Sequence, residues 1–240
     1  MKGKLIVIEG LDGSGKKTQT KLLYNHIKKL NPNTTYISFP DYDSPSSSLI
    51  KMYLNSEFGD DPSSVNAYAA SSFFAADRYV SYKKKWSKLY KNGHIIIADR
   101  YTTSNPIYQM SKLPEGEWNK YLSWLYDYEY NKLDLPVPDK VIFLDVPIEI
   151  SQALMEKRYL NSNGKKDLHE NNIKFLEKCK KISRYVADFD NWHIIECVSN
   201  NKIKDKENIH KEILKALPEE MFLIEPRILS PDYSRQTMGK

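Results

Sequence analysis

Short apolar segments alternate with longer amphipathic segments along this chain. The short segments, which predict strands, cover residues 5–8, 36–39, 95–98, 141–144 and 193–195. The segments between them predict helices at about 16–30, 65–90, 115–134, 148–159, 168–187 and 205–216. Alternating strands and helices are typical of an α/β protein in which helices cover both faces of a parallel sheet. The run Ile95-Ile96-Ile97 has no alternating polar position, as expected for a strand covered on both sides. The pattern predicts three layers around a five-stranded parallel sheet.

Two stretches interrupt the alternation. Residues 160–166 are polar and basic and contain Gly164, which favours a mobile loop. Residues 219–240 include Pro226 and Pro231 and show little periodicity, as expected for a C-terminal tail or arm. We therefore expect one domain over residues 1–218, followed by that tail.

The composition favours small anionic ligands. The 240 residues have a net charge of +5, and the basic residues are spread along the chain rather than collected in one block. This distribution suits small phosphates better than nucleic acid. No run of about 18 apolar residues appears, and the first strand leaves no room for a signal peptide, so we expect a cytoplasmic protein without a membrane segment. The cysteines and histidines lack the spacing of a disulfide framework or a structural metal site.

A glycine-rich segment directly follows the first predicted strand. Residues 10–16 have the sequence Gly-Leu-Asp-Gly-Ser-Gly-Lys, which matches G-x-x-x-x-G-K. Such glycines let backbone amides turn towards phosphate oxygens, and Lys16 can reach the β and γ phosphates of a nucleotide. Strand, loop and helix in this order predict a P-loop NTPase fold; the alternative is a glycine-rich turn with Lys16 in solvent. The predicted ATP-binding residues are Gly10, Gly13, Ser14, Gly15, Lys16, Lys17 and Thr18.

One position departs from the expected chemistry. A Ser or Thr that binds Mg²⁺ usually follows the P-loop lysine, whereas this chain has Lys17. Adjacent helical residues point about 100° apart, so the hydroxyl of Thr18 cannot simply replace that ligand. The Mg²⁺ that accompanies ATP is then expected to be held by phosphate oxygens, water and another carboxylate. Alternatively, Lys17 is an ordinary helix residue that faces solvent.

The strand at residues 95–98 ends in an acid and a base. Asp99 and Arg100 lie at the carboxyl edge of the sheet, where open α/β sheets bind ligands. Asp99 is suited to hold Mg²⁺ through a water molecule, and Arg100 is suited to bidentate recognition of phosphate. The alternative is a surface ion pair at a strand end.

Several motifs together resemble those of the thymidylate kinases. They are Asp12-Gly13-Ser14-Gly15-Lys16 with Thr18-Gln19, then Phe39-Pro40, then Phe74-Ala75-Ala76-Asp77-Arg78, and finally Asp99-Arg100-Tyr101 with Ser104 and Tyr108-Gln109. They occur in the family's order and span most of residues 4–187. The resemblance implies an ATP-dependent nucleoside monophosphate kinase that converts thymidine monophosphate (dTMP) to the diphosphate for dTTP biosynthesis and uses Mg²⁺. A homodimer is compatible with this interpretation.

The resemblance also implies roles for single residues. Phe74 is similar to the aromatic residue on which thymine stacks, and Arg78 and Arg100 are similar to the pair that clamps the acceptor phosphate. Tyr101 and Tyr108 resemble the tyrosines of the deoxyribose pocket. The implied substrate-binding residues are Phe39, Phe74, Arg78, Arg100, Tyr101, Ser104, Tyr108 and Gln109.

Each of these roles has a structural alternative. Phe74, Tyr101 and Tyr108 can be ordinary core residues. Arg78 can be a neighbour of Asp77 on a solvated helix face, and Ser104 can merely start a turn. Asp12 resembles the P-loop acid that approaches the acceptor, but a turn-forming aspartate is the alternative.

The resemblance further implies a cation that approaches the transferred phosphate. Thymidylate kinases place it either in the P-loop, where this chain has the neutral Ser14, or in a short lid. The resemblance implies a lid at about residues 158–167, which contains Arg158, Lys165 and Lys166. The predicted catalytic residues are Lys16, Asp12, Arg100, Arg158 and Lys166. Family members commonly have an arginine where this chain has Tyr42, which leaves one phosphate or base contact in doubt.

Two other functions remain open from the sequence. A deoxynucleoside kinase has the same sheet and P-loop but phosphorylates a sugar hydroxyl, for which it needs a carboxylate base. A nucleotide-sensing or catalytically weak nucleotide-binding protein is the second alternative, because Lys17 and Tyr42 both depart from the expected pattern.

Overall fold

A parallel sheet forms the centre of the molecule. The structure is a computed structural model that describes residues 2–160, 167–170 and 172–222, except for the side chain of Arg158. In these ranges the sheet has five parallel strands in the order β2-β3-β1-β4-β5. The strands are β1 (Lys4–Gly10), β2 (Thr34–Ser38), β3 (Ile95–Asp99), β4 (Lys140–Asp145) and β5 (His193–Glu196). The predicted five-stranded parallel sheet is confirmed.

Helices connect the strands. They are α1 (Lys16–Leu30), α2 (Ser48–Leu54), α3 (Ala67–Ser81), α4 (Ser87–Lys91), α5 (Ser104–Gln109), α6 (Trp118–Tyr126), α7 (Ile148–Leu160), α8 (Ile173–Phe189) and α9 (Lys206–Lys215). The hydrophobic pattern located α1, α7 and α9 to within about a residue or two. It missed α2 and α5, because helices of seven and six residues are too short to show a helical period.

The sheet is covered on both faces. Leu5 and Val7 of β1 point into one apolar cluster, which also contains residues of α6 and α8. Ile6 and Ile8 point into a second cluster, which contains residues of α1 and α9. Successive strand residues face opposite sides, so both faces of β1 are apolar and the predicted three layers are confirmed.

The long helix predicted at residues 65–90 is divided. A π-helical segment, Tyr82–Trp86, separates α3 from α4. Trp86 is fully buried and makes edge contacts with the rings of Tyr82 and Tyr90. A single π-helical turn within a helix leaves no mark in the hydrophobic period, so the sequence pattern does not indicate this division.

The C-terminal part adds a small hairpin and one further contact. Strands β6 (Val198–Ser199) and β7 (Lys202–Ile203) pair antiparallel. Phe222, in the stretch predicted to be a tail, is buried in the α1 and α9 cluster, and its carbonyl accepts a hydrogen bond from Asn31. The boundary at residue 218 stays a prediction, and residues 223–240 lie outside the described part. None of the described helices is long and apolar enough to span a membrane.

Candidate active site

The P-loop joins β1 to α1. Gly13 and Gly15 have φ angles of 80° and 84°, in the left-handed region that favours glycine. A Cβ atom at Gly13 would stand 2.4 Å from the backbone oxygen of Ser151 in α7, so both the conformation and the close approach require glycine. Within the same loop, Gly10 and Ser14 are close together: a Cβ atom at Gly10 would stand 2.6 Å from the Ser14 Oγ.

The Lys16 side chain lies within the loop. Its Nζ donates to the backbone oxygen of Leu11 at 2.6 Å and lies 3.9 Å from the Asp12 Oδ1. Burial, followed by the nearby Arg100, lowers the pKa of Lys16 to about 8, although Asp12 acts in the opposite direction. A phosphate chain would favour the charged form, because it would place anionic oxygens beside this ammonium group.

A wide cleft adjoins the P-loop. The exposed Lys17 and Thr18 lie in its wall with Lys21, one turn further along α1. The cleft is lined by Asp12, Gly13, Gly15, Lys16, Lys17, Thr18, Lys21, Ser38, Phe39, Pro40, Tyr42, Asp99, Arg100, Leu154, Met155, Tyr159, Asp167 and Glu170. We call it the donor cleft. Lys17 thus both faces solvent and borders the region where the P-loop would hold phosphates.

The Ser14 side chain is buried within the P-loop. Among the described residues its hydroxyl has no hydrogen-bond partner. A neutral, buried hydroxyl supplies no cation to the donor cleft, so the lid stays the predicted source of that cation.

Asp99 ends β3 at the carboxyl edge of the sheet. Its side chain is largely buried, and burial, followed by the charge of Asp99, raises the pKa of Tyr36 on the neighbouring β2. Asp99 lines the donor cleft, as Lys17 does. Carboxylate oxygen is a ligand that Mg²⁺ accepts, directly or through water.

A second cavity opens beside the donor cleft. It is lined by Asp12, Phe39, Pro40, Tyr42, Leu54, Phe74, Arg78, Arg100, Tyr101, Ser104, Asn105, Tyr108, Gln109, Asp167 and His169. We call it the acceptor cavity. All eight residues predicted to bind the substrate lie in its wall. Six residues border both the cavity and the cleft, which therefore meet: Asp12, Phe39, Pro40, Tyr42, Arg100 and Asp167.

Arg100 stands where the two spaces meet. Its φ of 66° is unusual for a residue other than glycine, and its backbone nitrogen donates to the Ile8 oxygen of β1. Its Nη2 forms an ion pair with Asp12 and donates to the Tyr108 hydroxyl at 3.0 Å. Its Nη1 donates to Ser104 at 3.2 Å. The alternative of a solvated ion pair at a strand end is wrong, because the Arg100 side chain is only 14% exposed.

Asp12 lies beside Arg100 where the donor cleft and the acceptor cavity meet. Its carboxylate accepts a hydrogen bond from Tyr108 at 2.8 Å in addition to the ion pair with Arg100. Burial alone would raise the pKa of Asp12, but Arg100 and then Lys16 hold it well below the usual range. Asp12 is therefore an anion that holds the Arg100 side chain in place.

Glu9 is a site residue that the sequence analysis missed. It is fully buried at the end of β1, and it accepts hydrogen bonds from Thr103 at 2.9 Å and from Ser104 at 2.7 Å. Arg100 Nη1 lies 3.3 Å from its Oε1. An acid in an apolar strand was the available signal, because a buried carboxylate needs partners.

Arg78 has a partner that the sequence did not reveal. Its Nε and Nη2 donate to Glu129 at 2.7 and 2.6 Å in a buried bidentate ion pair. Glu129 also accepts hydrogen bonds from Thr102 at 2.8 Å and from Asn105 at 2.9 Å. The alternative that Arg78 occupies a solvated face is wrong. Asn105 is a further cavity residue that the sequence analysis did not select.

Asp77 lies beside Arg78 in sequence but organises another segment. It is buried, and it accepts hydrogen bonds from the Asp41 backbone nitrogen at 2.8 Å and from the Ser46 hydroxyl at 2.5 Å. These bonds fix the loop that carries Tyr42. Tyr42 is half exposed and borders both the cleft and the cavity.

Tyr101, Tyr108 and Gln109 differ in which of their polar atoms form hydrogen bonds within the protein. Tyr101 is fully buried and donates to the Pro136 oxygen at 3.0 Å, so its ring rather than its hydroxyl faces the cavity. The Tyr108 hydroxyl links Asp12 to Arg100. Among the described residues, the buried Oε1 of Gln109 has no hydrogen-bond partner. This oxygen can accept a hydrogen bond.

The end of the predicted lid borders the site as well. Asp167 lines both spaces, and burial followed by Asp12 raises its pKa to about 7. Arg158 lies in α7, but its side chain is outside the described part of the structure, as are Lys165 and Lys166. The proposed lid cation therefore stays a prediction.

The geometry and the comparisons identify the class and then the family. A P-loop, a donor cleft and a second cavity that meet at an arginine define a P-loop kinase that takes a small acceptor. The sequence model of the thymidylate kinase family matches residues 8–213. The chain is 30% identical to the thymidylate kinase of Mycobacterium tuberculosis strain H37Rv over 76% of this chain and 85% of that protein. It is 31% identical to the thymidylate kinase of Plasmodium falciparum over 89% of each chain.

Solved structures agree with this assignment. The thymidylate kinase of Candida albicans superimposes with a TM-score of 0.69 at 26% identity, over 92% of this chain and 93% of that one. The thymidylate kinase of Ehrlichia chaffeensis shares the fold, with a TM-score of 0.63 at 21% identity over 91% of this chain and all of that one. The chain belongs to the thymidylate kinase family, and it is an ATP-dependent phosphotransferase with thymidylate kinase activity. The predicted family, fold and activity are confirmed.

Proposed function

We propose that the donor cleft binds ATP, that the acceptor cavity binds dTMP, and that the γ phosphate crosses where the two spaces meet. The observation that carries this proposal is the shared wall at Arg100 and Asp12. An acceptor phosphate beside Arg100 and a γ phosphate beside Lys16 would face each other. In-line transfer between them needs positioning and charge neutralisation rather than a protein nucleophile.

The proposed base specificity rests on two polar atoms, one with a single long hydrogen bond and one without a hydrogen-bond partner among the described residues. Nε and Nη2 of Arg78 are bound to Glu129, whereas Nη1 has only a long contact of 3.4 Å with the Tyr101 oxygen. Nη1 is a donor, and Oε1 of Gln109 is an acceptor without a partner among the described residues. Thymine presents the complementary carbonyl at C4 and N–H at N3, whereas cytosine presents the reverse pattern. Phe74 supplies an aromatic wall on which the ring can stack.

The role of Arg78 therefore differs from the phosphate clamp that the family resemblance implied. Glu129 neutralises its charge and occupies its bidentate face. We propose that Arg78 recognises the edge of the base and that Arg100 is the main residue for the acceptor phosphate. Arg100 would then exchange part of its contact with Asp12 for the phosphate.

The residues near Asp99 fit a magnesium ion. Asp99 lines the donor cleft, and its carboxylate oxygens suit Mg²⁺ through water. When bound with ATP, Mg²⁺ neutralises charge on the β and γ phosphates. Lys16 orients those phosphates, while Lys17 adds a second cation to the same wall. Arg158 and Lys166 remain the proposed lid cations.

A competition assay tests the acceptor against the main rival. A deoxynucleoside kinase would phosphorylate thymidine, whereas the proposed enzyme phosphorylates dTMP. With both compounds present, ADP release should follow the dTMP concentration, and thymidine should yield no phosphorylated product. Product formed from thymidine alone would overturn the proposal. A homodimer and a cytoplasmic location remain predictions from the sequence.

A further inference from the structure

His169 forms part of the acceptor cavity but belongs to none of the motifs discussed so far. Its side chain is buried between α5 and α8. Its ring stacks on Tyr108 with centroids 5.3 Å apart and an interplanar angle of 12°. On α8, the Phe175 ring contacts it with centroids 4.9 Å apart. These contacts leave the imidazole little freedom to move.

A hydrogen-bond chain behind the cavity fixes the same ring. The Nε2 of His169 lies 2.8 Å from the Tyr53 hydroxyl on α2. Lys112 donates to that hydroxyl at 2.9 Å and to the Val65 oxygen at 2.9 Å. The backbone nitrogen of Leu168 donates to the Leu54 oxygen at 3.1 Å, which anchors the neighbouring backbone to α2 as well.

Tyr108 contacts both His169 and the pair of Asp12 and Arg100. Its hydroxyl donates to Asp12 at 2.8 Å and accepts from Arg100 at 3.0 Å. One hydroxyl can make both bonds only if its ring is held at the correct place and tilt. The face of that ring packs on His169, so a displaced imidazole would release it.

We propose that His169 is a positioning residue of the acceptor site, which acts through Tyr108 to hold Arg100 for the acceptor phosphate. Tyr53 and Lys112 hold His169 in turn. The proposal rests on the proposed binding of dTMP beside Arg100. The proposal adds Tyr53 on α2 and Lys112 after α5 to the acceptor site, and neither residue lines the donor cleft.

The neutral state of His169 matters for this role. Burial, followed by the Lys112 ammonium group, lowers the pKa of His169 to about 3; Asp12 opposes this effect and Arg100 adds to it. A charged imidazole would compete with Arg100 for Asp12. A neutral imidazole packs on Tyr108 without that competition.

A double-mutant cycle tests the proposal. We expect His169→Leu to raise the KM for dTMP about tenfold, because Tyr108 loses its stacking partner, and to leave the KM for ATP unchanged. In a Tyr108→Phe background the hydroxyl is already absent, so the same substitution should change the KM for dTMP less than about twofold. Equal effects in both backgrounds, or no effect in the parent enzyme, would overturn the proposal.

Two further variants keep the test decisive. Tyr53→Phe removes a hydroxyl outside the cavity, and it should raise the KM for dTMP severalfold with the same dependence on Tyr108, even if His169→Leu fails to fold. Tyr185→Phe is the matched control, because it removes a hydroxyl bond to Asn119 far from the cavity and should change neither KM. If Tyr53→Phe behaves like Tyr185→Phe, the hydrogen-bond chain has no positioning role. Turnover of dTMP by the parent enzyme tests the proposed function separately.

Discussion

Arg78 and Glu129 form a bidentate ion pair of 2.6 and 2.7 Å in which both side chains are buried. Thr102 and Asn105 donate to the same carboxylate, so the pair is the centre of a polar network beneath the base end of the acceptor cavity. Charges removed from water need such partners, because desolvation is otherwise too costly. The network therefore connects the stability of the fold to the proposed recognition of the base.

The first prediction concerns that connection. Arg78→Ala leaves the Glu129 carboxylate buried without its counter-charge, so we expect the free energy of unfolding to fall by about 3 to 5 kcal/mol. Urea unfolding measures it. The double variant Arg78→Ala/Glu129→Gln removes the unpaired charge and should recover part of the loss. If the single variant unfolds at the parent's urea midpoint, the ion pair has no structural role.

The second prediction separates Arg100 from the donor side. Arg100→Ala removes a charge-assisted contact worth about 1.5 to 3 kcal/mol, so kcat/KM for dTMP should fall tenfold or more while ATP affinity stays close to that of the parent. Steady-state kinetics with each substrate varied in turn measure this. Arg184→Ala is a control on an exposed arginine of α8. An unchanged kcat/KM for dTMP would contradict the assignment of Arg100.

The sequence predicted the sheet because each strand is a short apolar run, and it predicted the P-loop because its glycines and Lys16 form a contiguous motif. The sequence also predicted eight substrate-binding residues, and all eight line the acceptor cavity. It could not show which side chains pair. Glu129 lies 51 residues from Arg78, and Tyr53 lies 116 residues from His169, and no local pattern indicates contacts over such distances. Short helices such as α5 are likewise fixed by packing rather than by periodicity.

The third prediction concerns Lys17. Its ammonium group borders the donor cleft where a hydroxyl ligand of Mg²⁺ would otherwise stand, so it opposes the metal by charge. Lys17→Ser should lower the Mg²⁺ concentration needed for half-maximal activity and leave kcat equal or higher. Lys21→Ser, one turn away on the same wall, is the matched control. Loss of activity in Lys17→Ser at every Mg²⁺ concentration would instead identify Lys17 as a working cation.

The fourth prediction follows from the pKa of Lys16. Burial lowers this pKa to about 8, so at pH 9 the free protein holds Lys16 mostly uncharged. Bound phosphates favour the charged form, so ATP binding at pH 9 should take up close to one proton, and the uptake by Lys16 should fall towards zero as the pH drops to 7. Calorimetry of ATP binding in buffers of different ionisation enthalpy measures the uptake. Binding at pH 9 without proton uptake would show that Lys16 is already charged in the free protein.

The most direct test of the account is ADP release with a panel of nucleoside monophosphates. Arg78 and Gln109 present a donor and an acceptor that match thymine, so dTMP should have the highest kcat/KM. The dUMP value should be severalfold lower, because it lacks one buried methyl group. The dCMP value should be about 100-fold lower, because its reversed pattern leaves buried polar atoms unpaired. If dCMP or a purine monophosphate is phosphorylated faster than dTMP, the proposed base site is wrong.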